Sequence, residues 1–82
     1  MTIMGNQIRA ARAFLRLTIQ DLADASGVSA ATIMRAEKMD GPSSMTRANQ
    51  AALRRALEDA GVVFLPDGGL RPRKAEEMAD AR

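Results

Sequence analysis

The chain has 82 residues, neither Cys nor His, and a formal charge of +2. A chain of this length makes one domain that buries only about 60% of its unfolded surface, so its stability is marginal unless a second subunit helps. Without thiols or imidazoles there can be no disulfide, no thiolate metal site and no histidine base, which argues against an enzyme and implies no cofactor.

The charge is uneven. Residues 1–74 hold eleven Lys and Arg against seven Asp and Glu, while 75–82 hold three acids against one Arg. That modest basic excess suits a polyanionic partner, though it also serves solubility. No apolar run approaches the roughly 20 residues that span a bilayer, and no signal-peptide pattern opens the chain, so a cytoplasmic location without membrane contact is expected. Phe14 and Phe64 are the only aromatics, too few for base stacking on single strands.

In chain order, a first helix is predicted over 6–16, capped by Asn6, with Ile8, Ala11 and Leu15 on one face and Arg9, Arg12 and Arg16 also on the helix. Thr18 caps a second helix over 19–25, with Asp21 three positions on in a near capping box and Ile19, Leu22 and Ala23 on its apolar side. Gly27 stops it, and Ser29 caps a third helix over 30–38 whose apolar side is Val28, Ile33 and Ala36. Two short capped helices about a Gly-containing turn make a helix-turn-helix pattern, which sets its second helix in the DNA major groove.

A Gly/Pro/Ser segment, 39–44, breaks the chain before a helical region over 46–60 with an apolar stripe of Ala52, Leu53, Ala56, Leu57 and Ala60. Asn49 is expected to cap its main part. Residues 62–65 read as a strand, Pro66-Asp67-Gly68-Gly69 as a turn, and 70–74 as a return strand that Pro72 restricts to an edge or partial pairing. The expected organisation is a helical domain over 1–61, a strand or hairpin over 62–74 and a disordered tail over 75–82. The apolar run Val62, Val63, Phe64 and Leu65 is expected to form the dimer by pairing with its two-fold mate, an intrachain hairpin being the alternative.

The stretch IRAARAFLRLTIQDLADASGVSAATIMRAEK resembles the XRE family, the helix-turn-helix domains of phage Cro and repressor proteins. The ordered set Arg12, Leu22, Ala23, Gly27, Val28, Ser29, Ile33 and Glu37 carries the likeness. The resemblance implies a lambda-repressor-like domain of four or five helices followed by a short strand or hairpin. It implies an ion pair between Arg12 and Glu37, tying the first helix to the third. Phosphate contacts fall on Thr18, Gln20 and Ser29, with Ile19 a departure because many relatives are polar there. Base-reading positions fall on Ala30, Ala31, Thr32 and Arg35. Only Arg35 can make a bidentate contact to guanine; its other role is a phosphate clamp. Met34 is either groove-facing or packed. Lys38, Ser43, Ser44 and Arg47 flank the loop where relatives grip phosphates, and Arg54 and Arg55 read as a solvated face.

These features imply a homodimeric, sequence-specific regulator of transcription on inverted-repeat double-stranded DNA, with autoregulation implied by the resemblance alone. The alternative is an antitoxin or antiactivator whose C-terminal strand binds a protein partner by strand addition.

Overall fold

A computed structural model describes residues 3–42 and 45–79, the side chains of 78 and 79 excepted; Ser43 and Ser44 lie outside the described residues. In chain order the elements are α1 (Gly5–Leu15), α2 (Ile19–Ser26), α3 (Ala30–Glu37), α4 (Arg47–Ala60), β1 (Val62–Phe64), β2 (Leu70–Pro72) and α5 (Ala75–Ala79). The fold is mostly helical, with a two-stranded antiparallel hairpin following the first four helices. No helix among the described residues is long and apolar enough to cross a membrane.

Local chemistry places most of the boundaries. Thr18 Oγ1 accepts from the Asp21 N–H at 3.0 Å, and Asp21 returns the bond by accepting from the Thr18 N–H at 2.9 Å. Asp therefore closes the capping box, and its bond from the Thr18 N–H, with the Thr18 hydroxyl second, holds its carboxyl below the usual range. Ser29 and Thr46 accept from the backbone N–H three residues on, at 3.2 and 3.1 Å, and so start α3 and α4. Asn49, the expected cap of α4, is instead the residue whose N–H Thr46 satisfies. Gly27 ends α2 with φ +76, a left-handed conformation in which a Cβ would be strained.

The start of α1 lies one residue earlier than expected. Asn6 is not its cap: the helix begins at Gly5, and Gln7 reaches back to accept from the Met4 N–H at 2.8 Å. Ile3 is fully buried, which draws the chain into the core before the helix begins. Gly5 sits where α1 passes the end of α3, its N–H donating to Gly41 O at 3.0 Å.

The core is one cluster built around Ile3, Ile8, Leu22, Ile33, Leu53, Leu57, Val62 and Phe64. Every helix of the first four contributes, with α1 offering Ile8 and Ala11 and α3 offering Ile33 and Ala36. Ala60 is exposed, so the apolar stripe of α4 ends at Leu57.

The hairpin forms within the chain, the arrangement expected as the alternative to pairing with a two-fold mate. β1 pairs with β2 inside the chain, in the register Val62 to Pro72, Val63 to Arg71 and Phe64 to Leu70. Val62 and Phe64 point into the chain's own core and are buried, whereas Val63 and Leu65 are half-buried. Two of the four apolar residues are thus taken up by the chain's own core. Arg73 N–H donates to Gly61 O at 2.8 Å and Leu65 N–H to Gly69 O at 2.9 Å, so bonded pairs flank β1 on either side and, by alternation, Val63 opposite Arg71 is the bonded pair within it. Pro72 opposes Val62 at a non-bonded position, where its missing N–H leaves the ladder intact.

Residues 75–79 also differ from the expected tail. Arg71 donates to both Glu77 oxygens at 3.0 and 3.1 Å, the Lys74 N–H donates to one of them at 2.8 Å, and Arg73 donates to Glu77 O at 3.0 Å. A charged clasp holds α5 to the hairpin.

Two outcomes follow from this packing. A Cβ on residue 5 would overlap the carbonyl oxygens of Ala36 and Met39. Gly5→Ala is expected to destabilise the fold by about 2–3 kcal/mol in urea titration. The Arg71 bond and the Lys74 N–H hold the Glu77 carboxyl down from 4.5 to about 2. A depressed carboxyl contributes above its unfolded value and loses that contribution as pH falls through the folded one. Amide exchange protection of α5 should therefore be complete above about pH 4.5 and vanish toward pH 2.

Candidate nucleic-acid interface

The expected ion pair is present. Arg12 Nε donates to Glu37 Oε2 at 2.8 Å and Nη2 to Oε1 at 2.9 Å, a bidentate fork across α1 and α3. Glu37 is only 6% exposed. The remaining Arg12 nitrogen, Nη1, donates to Leu17 O at 3.0 Å, so one side chain joins α1, α3 and the link to α2. The hydrogen bond to Glu37 raises the Arg12 pKa above its ordinary value. Arg9 adds a second strap that the sequence pattern did not single out. It donates to Glu37 O and pairs with Asp40 at 3.0 Å, covering the end of α3. Its spacing of three from Arg12 on α1 was the available signal.

With Ile33, Ala36 and Glu37 turned inward, α3 presents the other positions outward. Ala31, Met34, Arg35 and Lys38 are exposed, and Ala30 and Thr32 are half-buried at its start. Met34, 48% exposed, belongs to the outer face and not to the core. Ser29, Thr32 and Arg35 form a hydrogen-bonded chain along this face. Ser29 Oγ donates to Thr32 Oγ1 at 2.9 Å and Arg35 Nη2 donates to the same oxygen at 3.1 Å. Thr32 Oγ1 accepts twice, so its own proton remains to be donated to a ligand.

The other candidates are placed as follows. Thr18 lies at the start of α2 as its cap, and Gln20 is exposed beside it, tied to Asp24 by a bond of 2.9 Å. Ile19, the departure from the family pattern, packs against the core. Arg47 is exposed on the first turn of α4. Between α3 and the start of α4 lies a cleft of about 200 Å³ lined in part by Thr32, Arg35, Met39, Thr46 and Asn49. The Arg54 and Arg55 side chains pair with Glu58 and Asp59 one turn on, as a solvated face would.

The ion pairs divide the cations into two groups. Arg9, Arg12, Arg54, Arg55, Arg71 and Arg73 each lie within 4.0 Å of a carboxylate. Among the described residues the cations without a carboxylate partner are Arg16, Arg35, Lys38, Arg47 and Lys74. All but Lys74 belong to or flank the helical motif, and all but Arg16 and Lys74 were expected at the interface from sequence.

No family model matches the chain, and no curated protein matches it.

The Arg12–Glu37 fork is expected to behave as a buried pair. Arg12→Ala leaves a buried carboxylate without its counter-charge and should cost about 3 kcal/mol in urea titration. Removing Glu37 as well, in Arg12→Ala with Glu37→Leu, should recover a large part of that loss.

Proposed function

We propose that the protein is a sequence-specific double-stranded DNA-binding regulator of the XRE type, acting as a homodimer on inverted repeats. The observation that carries this reading is the distribution of uncompensated positive charge. Most cations elsewhere on the surface are neutralised by a neighbouring acid, whereas Arg35, Lys38 and Arg47 are not. Unpaired cations around a protruding helix are the groups that displace counterions from a phosphate backbone. The outer face of α3 adds methyl groups at Ala30 and Ala31, a thioether at Met34, a donor hydroxyl at Thr32 and a guanidinium at Arg35.

In this reading α3 enters the major groove, and the start of α2 lies against the backbone with Thr18 and its neighbouring N–H groups toward a phosphate. Arg35 meets a guanine edge, while Ala30, Ala31 and Met34 suit thymine methyls. So few polar readers leave much of the selectivity to DNA shape. Two copies would set their α3 helices in successive major grooves about 34 Å apart.

A protein partner added as a strand to the hairpin is less well supported. Val62 has no accessible surface, and the outer edge of β2 carries Pro72, which has no N–H to offer.

The test is selection from random duplexes followed by binding with substituted chains. Arg35→Ala should cost about 1–3 kcal/mol and relax preference at one position per half-site. Lys38→Ala and Arg47→Ala should weaken binding to all duplexes alike, and each should lower the log–log salt slope by about one for every phosphate no longer neutralised. Equal weakening on selected and random duplexes by Arg35→Ala would make Arg35 a phosphate clamp. Failure to enrich any sequence would contradict specific reading.

A further inference from the structure

We propose that Arg16 is a further phosphate-binding residue, gripping the DNA backbone beside the start of α2. The inference rests on the duplex-binding reading above and adds a residue that neither the motif nor the resemblance assigns.

Arg16 stands where a side chain is a disadvantage. It closes α1 with φ 59 and ψ 36, the only positive φ outside glycine among the described residues. The closure itself is made by backbone alone: Arg16 N–H donates to Ala13 O at 3.1 Å and Leu17 N–H to Arg12 O at 2.9 Å. Glycine would make both bonds in a conformation that it adopts freely. An L residue there is disfavoured by its Cβ, so the guanidinium needs a use that offsets the strain.

That use is not found within the chain. Arg16 is exposed and has no hydrogen bond or ion pair from its side chain among the described residues. A cation at a helix C-terminus favours the helix dipole, but Arg12 already supplies one in the last turn of α1 and donates to Leu17 O. Arg9 and Arg12 on the same helix are both held by carboxylates, so the lack of a partner is particular to Arg16.

Position gives the partner's chemistry. Arg16 precedes the Thr18 cap by two residues, at the junction that the motif sets across the phosphate backbone. Lys38 and Arg47 flank the connection from α3 to α4, whereas Arg16 flanks the connection from α1 to α2. Backbone grips on both connections would fix how α3 sits in the groove without reading any base.

The experiment uses the full chain and a fluorescein-labelled duplex of mixed sequence about two helical turns long. Binding is followed by anisotropy between about 50 and 200 mM salt for the unmodified chain, Arg16→Gly and Arg16→Lys. Thermal melting of each is recorded beside it. Arg16→Gly should keep a melting midpoint equal to or above that of the unmodified chain, because the strained Cβ is gone. It should bind about five- to tenfold more weakly near 0.1 M salt, with a log–log slope lower by about 0.9 for each phosphate that Arg16 neutralises. Arg16→Lys should keep most of the slope, since the charge stays. An Arg16→Gly slope equal to that of the unmodified chain would overturn the assignment while leaving duplex binding intact. If the unmodified chain binds no duplex even at the lowest salt, the DNA reading fails and this assignment falls with it.

Discussion

A carboxylate buried between two helices organises this protein. Glu37 ends α3 with little access to water, and a charge so placed is tolerable only when paired and hydrogen-bonded. Arg12 meets both of its oxygens, and Arg9 takes the backbone carbonyl of the same residue. The two arginines come from one face of α1, so satisfying them fixes α3 across that helix. Gly5 completes the arrangement from the other end, since only a residue without Cβ lets α1 approach the carbonyls of Ala36 and Met39. The orientation of α3 is thus set by polar bonds at its end as well as by Ile33 and Ala36 in the core.

Fixing the inner face of α3 also defines its outer face. Glu37 cannot neutralise Arg35 or Lys38 because it is committed to Arg12. The acids of α4 and α5 named above are committed as well, Glu58 and Asp59 to arginines of α4 and the hairpin, Glu77 to Arg71. Positive charge is left unmatched mainly around the helical motif. A net charge of +2 says little about this, because what matters for a polyanion is where compensation is missing.

The helical motif was legible in the sequence because its determinants are local. Thr18, Ser29 and Gly27 act within three or four residues of themselves, and the apolar spacing of Ile8, Leu22, Ile33, Leu53 and Leu57 matches the buried set. Less legible was whatever depends on distant segments. Ile3 is buried by a core that a reading of the first six residues cannot see. The run at 62–65 is equally apolar whether its neighbour is a mate or β2, and only the fold shows that β1 pairs with β2 and buries Val62 and Phe64 in the chain's own core. The tail has one large apolar residue, Met78, so a helix held by Arg71 and Arg73 through Glu77 left no hydrophobic pattern to find. At the candidate interface, Arg35, Lys38 and Arg47 were expected from the resemblance to the XRE family. The strain at Arg16 was not, since a left-handed φ at an arginine leaves no mark in the residues around it. The expected phosphate-binding serines, Ser43 and Ser44, lie outside the described residues.

The central claim is that the outer face of α3 is a surface for duplex DNA. It is tested most directly by following backbone amide resonances of the labelled chain as a mixed-sequence duplex is added at low salt. The account predicts shifts concentrated in α3, at the start of α2 and on the first turn of α4, with the hairpin and α5 little changed. Shifts confined to the hairpin and α5, or no shifts at all, would contradict it.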